Sequence, residues 1–280
     1  MFFLVLAVLA LPAAGGRALK VNGSSTVTPV VADAADLLQQ TAGLEIVVDP
    51  AGGSSGGISA LGDGRVDMAM SSRPLEPGDH SKFPSTDFRP VTIGYDAVAM
   101  VVSRDVWQGG VHALSRQQVR DIYEGRIKRW SAVGGPDRRI VFFDKEPGRG
   151  TWAMFAKWAY GDTQKAPLVS FPKVGSNQET RTKVASTPGA MSQLSASWTD
   201  GETIFALGIR RPDASVVYPT REEIAAGHYP IRRPLLVITD GPATGAAKTL
   251  LDLLLSERGQ ALVEKHGYLP LEKPAATEAH

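Results

Sequence analysis

Short apolar runs alternate with helix-patterned stretches along almost the whole chain, and this alternation restricts the fold more than any other feature. Residues 44–48, 66–70, 97–102, 140–143, 190–194 and 235–238 are dense in aliphatic and Met or Phe side chains and have the length of buried strands. Between them, residues 30–41, 57–61, 116–123, 151–160, 179–186, 246–255 and 259–266 carry helical spacing. Such alternation predicts an α/β architecture with largely parallel sheets. With 280 residues, 43% of them hydrophobic, the chain can build one large core or two ordinary ones.

Polar punctuation agrees with that division. Thr28 before Pro29 offers a capping hydroxyl ahead of a proline in the first turn. Ser115 with Gln118, and Ser176 with Glu179, have capping-box spacing. Gly267 follows Lys265 and His266, with Pro270 soon after, as a helix stop requires. The tail 273–280, KPAATEAH, is small and polar and is expected to fray.

Composition removes several classes of function. Lys and Arg total 30 against 29 Asp and Glu, without a polybasic run, so neither a nucleic-acid groove nor an anionic membrane surface is indicated. No cysteine is present, which excludes disulfides, thiol catalysis, Cys-ligated zinc and a lipid-modified cysteine. The five histidines, at 80, 112, 228, 266 and 280, lack metal-ligand spacing. Residues 1–14 are uncharged and too short to span a bilayer with ease, and small residues with a break follow to Ala18. Residues 1–18 are therefore expected to be a signal peptide, which places the mature protein in a periplasm.

Four polar loops open helices. They are NGSSTVTP (22–29), AGGSSGGISAL (51–61), EPGRGTWAMF (146–155) and GSNQET (175–180). A helix N-terminus has unpaired N–H groups and a partial positive charge, glycine lets the backbone approach a ligand, and Ser or Thr adds a donor. In open α/β sheets, ligands collect at the carboxyl ends of strands, where loops of this kind lie. Nucleotide motifs fail: a G-x-x-x-x-G-K-[ST] run is missing, and Gly148-Arg149-Gly150 lacks the third glycine of a dinucleotide fingerprint. Gly52–Gly56 fits the G-x-S-x-G frame of a serine hydrolase, but no histidine has a loop context suited to a base. A small oxyanion, bound and not transformed, fits the pattern best. Trp152, Phe155, Ala156 and Ala159 recur at helical spacing and read as core.

In order, GSSTVTP, GGSSGGISALGDGRVDMAMSSR, GYDAVAMVVSRD, QQVRDIYEGRIKRWSAVGGPDRRI, EPGRGTWAMF, TPGAM and the stretch from YPIRRPLLVITDG to LPL resemble the periplasmic phosphate-binding protein family of ABC importers. The resemblance runs from Leu19 to Leu271. It implies a two-lobed periplasmic-binding-protein fold of type II, each lobe a mixed sheet flanked by helices, joined by two hinge crossings. Lobe one would comprise 19–102 and 230–272, and lobe two 103–229, with crossings near 102–104 and 229–233. The runs 97–103 and 233–239 would be neighbouring strands of lobe one. The ligand would be phosphate, the partner an inner-membrane ABC permease, the protein a monomer, and no cofactor, metal or catalytic residue is implied. Hinge closure would be the working motion.

Carried over residue by residue, the resemblance implies contacts from Thr26 with Ser25 beside it, from Ser54 and Ser55, and from Gly150 and Thr151. Ser24, Arg73 and Asn177 flank these positions; Arg73 either pairs with a carboxylate or reaches the anion. The chain departs from the family pattern at three places. Lys145 stands where the family has arginine, Arg149 where it has serine, and Ser72 where one branch has aspartate. A lysine is a point charge without the bidentate fork. Arg149 either restores a guanidinium over the anion or faces solvent at the rim. The Ser72 hydroxyl is expected to accept the proton of hydrogen phosphate, yet it carries no fixed charge to exclude sulfate. Sulfate, molybdate or a phosphonate therefore remains an alternative ligand, and a non-transport anion sensor an alternative role.

Overall fold

The computed structural model describes residues 17–272. The expected tail at 273–280 lies outside the described residues, as does the expected leader up to residue 16. In chain order the described part begins with β1 (Leu19–Gly23), α1 (Thr28–Ala42), β2 (Ile46–Asp49), α2 (Gly53–Gly62), β3 (Met68–Ser71) and α3 (Pro77–Lys82). A 16-residue strand, β4 (Phe88–Ser103), then leads into α4 (Arg104–Gln108), β5 (Ala113–Ser115) and α5 (Arg116–Tyr123). Next come β6 (Val141–Lys145), α6 (Gly150–Tyr160), β7 (Lys173–Val174), α7 (Asn177–Ser186), β8 (Ala190–Ser195) and β9 (Ile204–Ala206). The order closes with β10 (Gly208–Arg210), β11 (Val216–Val217), α8 (Arg221–Ala225), β12 (Arg232–Asp240), α9 (Gly245–Leu255) and α10 (Glu257–Lys265).

Nine strands form one curled sheet in the order β2-β1-β3-β12-β4-β8-β6-β7, with β9 beside β4. The expectation of largely parallel pairing holds only toward the two ends, where β1 pairs β2 and β3, and β6 pairs β7 and β8, all parallel. The centre is antiparallel: β12 against β3 and β4, and β4 against β8 and β9. The sheet is mixed because β4 carries the chain out of lobe one and β12 brings it back, so the two must run in opposite senses.

Strand β4 changes partner within its own length. Residues 88–97 pair with β12, and from Val98 onward the partners are β8 and β9. The change of partner falls between Ala97 and Val98, ahead of the crossing expected near 102–104. For the same reason the run 97–103 is not the neighbour of 233–239; residues 89–96 are. Two apolar layers meet β12: Leu235 and Val237 pack with Val21, Val31, Leu250 and Val263, while Leu236 and Ile238 pack with Ile58 and Leu61. Each such fully buried side chain stabilises the fold by roughly 1.5–3 kcal/mol. Val98, Met100 and Val102 join the separate core of lobe two with Ile122, Trp130 and Phe155. Phe155, Ala156 and Ala159 are buried as expected, whereas Trp152 is only half-buried and donates to the Tyr123 hydroxyl.

Of the three helix starts read from capping signals, two hold. Ser115 and Gln118 form the expected reciprocal box. Ser176 caps Glu179 N, but the Glu179 carboxylate accepts from Gly175 N instead of Ser176 N. Thr28 is a correction: it lies inside α1, Val27 is the cap, and the Thr28 hydroxyl donates to the Ser24 carbonyl at 3.0 Å.

Candidate anion-binding site

Four helix N-termini, of α1 and α2 from lobe one and α6 and α7 from lobe two, converge on one cavity. Its walls are Ser24, Ser25, Thr26, Gly53, Ser54, Ser72, Lys145, Arg149, Gly150, Thr151, Gly175 and Asn177. The space open inside it is about 10 Å³, room for about one water-sized sphere and far below the roughly 300–1,000 Å³ of pockets for organic ligands. In α6 the first intrahelical bond runs from Ala153 N to the Arg149 carbonyl, so the N–H groups of Gly150 and Thr151 precede it. The start of α2 behaves alike, with Gly56 N bonded to the Gly52 carbonyl and Gly53 and Ser54 ahead of it. Positive helix ends and hydroxyls therefore face one small space, and no carboxylate lines it.

The lobes are in contact across this space. Asn177 Nδ2 donates to Thr26 Oγ1 at 2.9 Å, and Ser55 N donates to the Gly148 carbonyl at 3.0 Å. At Gly150 the approach is so close that a Cβ would lie 2.5 Å from Ser54 Oγ and 2.6 Å from Ser72 Oγ. This is a closed arrangement of the cleft.

Three cations stand at or behind the walls. Lys145 is 1% exposed, and its ammonium donates to the carbonyls of Gly175 and Ser176 and to Asn177 Oδ1 at 3.0, 2.9 and 3.3 Å. Burial pushes its pKa well down, and the charges of Arg149 and Arg233 add to that, against opposing contributions from Glu179 and Glu146. Among the described residues no carboxylate forms an ion pair with it. Arg149 lines the cavity edge with its guanidinium held by Glu146 Oε2, through Nε at 2.9 Å and Nη2 at 2.6 Å. Its side chain packs against Gly53 and Gly175, where added methyl groups would lie 2.6 Å from Cδ and 2.7 Å from Nη2.

The third cation, Arg233, was not singled out in the sequence. It lies on β12 and is 1% exposed. Nε and Nη2 donate to Asp96 Oδ2 at 3.0 and 2.7 Å. Its other bonds go to Ser72 Oγ, Thr151 Oγ1 and Thr26 Oγ1 at 3.2, 2.9 and 3.2 Å. A charge inside the strand run YPIRRPLLVITD was its available sign, because an arginine between apolar strand positions needs a buried partner.

Of the expected residues, Ser24, Ser25, Thr26, Ser54, Ser72, Lys145, Arg149, Gly150, Thr151 and Asn177 meet at the cavity. Ser55 and Arg73 do not line it. Arg73 pairs with Asp79 at 2.7 and 2.9 Å and donates to Ser55 Oγ at 3.0 Å, which answers the alternative left open for it in favour of the carboxylate. Ser54, the nucleophile position of the hydrolase frame, accepts from Ser72 N at 3.0 Å, and among the described residues it has no histidine partner.

Residues 11–258 match the model of the PBP superfamily domain. The phosphate-binding protein PstS of Bacillus subtilis is 31% identical over 256 residues, covering 90% of this chain and 80% of the relative. The PstS protein of Borreliella burgdorferi is 24% identical over 262 residues, covering 91% of each. A substrate-binding protein from Clostridium perfringens, solved with bound phosphate, superposes with a TM-score of 0.80 at 25% identity, over 91% of this chain and 100% of that one. An ABC-type phosphate transport receptor from Vibrio cholerae superposes with a TM-score of 0.70 at 26% identity, over 90% and 100%.

Proposed function

The chain belongs to the phosphate-binding-protein family of the PBP superfamily, and on that footing we propose that its cleft captures phosphate for an ABC-type importer. The observation that carries the reading is the cavity wall, which presents helix N-termini, hydroxyls and a buried lysine without a carboxylate. Such a wall holds an unbalanced positive potential that a small oxyanion neutralises. In this reading Ser25, Thr26, Ser54, Ser72, Gly150, Thr151 and Asn177 surround the anion, Ser24 orients Ser72, and Lys145 supplies the charge. Arg149 closes the edge. Ser55 and Arg73 brace the second loop and do not touch the ligand.

The work is reversible binding with lobe closure, and it needs no catalytic group. The uncharged run at 1–14 supports export, with 1–18 as leader and the periplasm as the working compartment. Among the described residues no helix is long and apolar enough to cross a membrane. Calorimetry on protein stripped of anion tests the reading. One phosphate should bind per chain near neutral pH; no heat with phosphate beside clear binding of sulfate would sink it.

A further inference from the structure

A guanidinium has five N–H donors in a fixed fork. At Arg233 all five are spent on protein atoms: two on Asp96 Oδ2, and one each on Thr26, Ser72 and Thr151. None remains for a ligand, and Arg233 is not among the residues lining the cavity. Its effect on the hydroxyls is nevertheless specific. Thr26 Oγ1 accepts from Asn177 Nδ2 and from Arg233, and Ser72 Oγ accepts from Ser24 Oγ and from Arg233. A hydroxyl has two acceptor sites, so both oxygens are filled and each hydroxyl can act further only as a donor, with Ser54 Oγ at 3.5 Å from Ser72 Oγ as a competing acceptor.

We infer that Arg233 is the positioning residue of the anion site, locking the hydroxyls of Thr26, Ser72 and Thr151 as donors toward the ligand without touching it. The inference rests on the reading of the cavity as an oxyanion site. It reverses the expectation that Ser72 accepts a ligand proton. Thr151 keeps one lone pair, and that is the acceptor left on these three hydroxyls for the proton of hydrogen phosphate. Sulfate brings no proton and meets donors alone. Arg233 also lies opposite Asp96, where β4 leaves lobe one and β12 returns to it, and it bonds hydroxyls of both lobes, so the donor array is complete only when the cleft is closed.

The experiment titrates phosphate and sulfate into wild type, Arg233→Lys, Thr151→Val and the double variant. Lysine keeps the charge but offers three donors from one point, so the hydroxyls regain rotation. Arg233→Lys should weaken sulfate by about ten- to a hundredfold and phosphate by less. Its effect on phosphate should shrink in the Thr151→Val background, because part of it passes through that hydroxyl. Additive losses, equal losses for the two anions, or unchanged affinities each overturn the inference. Failure of wild type to bind any oxyanion overturns the cavity reading together with it. Should Arg233→Lys not fold, wild type labelled with ¹⁵N decides: through-hydrogen-bond coupling to ³¹P of bound phosphate should be absent at Arg233, and its presence there means direct contact.

Discussion

Lys145 meets three neutral oxygens, and among the described residues its charge forms no ion pair with a carboxylate. Because burial and two neighbouring guanidiniums lower its pKa, the free protein gains stability as pH rises between that lowered value and the unfolded one, where only the unfolded chain still holds the proton. An anion acts in the opposite sense, favouring the charged amine. Phosphate binding at pH values above the lowered pKa should therefore take up protons, and affinity should fall as pH rises through it; calorimetry in buffers of different ionisation enthalpy measures the uptake, and a null result would contradict this role. Arg149 differs because Glu146 already balances it. Arg149→Ala should lower phosphate affinity by less than about tenfold, and Lys145→Met by about ten- to a hundredfold. The reverse ranking in a titration would assign the principal charge to Arg149. Sequence spacing exposed both cations but not this division of labour, since Glu146 and Asn177 choose between them only once the loops are folded.

Helix starts are the elements on which the site depends. The Ser176 hydroxyl holds Glu179 N at 3.1 Å and so fixes the turn that presents Asn177 to Thr26. Ser176→Ala should cost about 1 kcal/mol of stability and lower the melting temperature by roughly 2–4 °C. Phosphate affinity should drop with it, and a thermal melt beside a titration shows whether the cap serves the site or only the helix. Elements of this kind were legible in the sequence, because an N-cap and a capping box act within one turn. Helix α5 falls on its expected bounds at Arg116–Tyr123. Thr28 was misread because Pro29 is accepted anywhere in the first turn, so the proline does not say which residue precedes the helix.

At the scale of the molecule, closure brings the start of α6 against β3 and α2. Gly150 has no room for a methyl group, since Ser54 Oγ, Ser72 Oγ and the Ser72 carbonyl carbon all lie within 3.1 Å of its place. Its backbone lies outside the left-handed region that favours glycine, so alanine suits the helix itself. Gly150→Ala should keep or raise thermal stability while removing the compaction that lobe closure on phosphate predicts in small-angle scattering. A variant that compacts normally on phosphate would show that the close approach at Gly150 does not limit closure.

Among the described residues, six of the twelve strands, seven of the ten α-helices and the polar loops that meet at the cavity were legible in the sequence, whereas β1, β5, β7, β9, β10 and β11 and the short helices α3, α4 and α8 were not. Each legible feature depends on free energies earned over a few neighbouring residues: an apolar run, a cap, a glycine stop. The partner switch at Ala97, the pairing of Arg73 with Asp79 and the placement of Arg233 were decided by the tertiary structure. Arg233 reaches Asp96 across 137 positions and Thr26 across 207. Such contacts exist because β4 and β12 pair in one register, and register is a property of the assembled sheet.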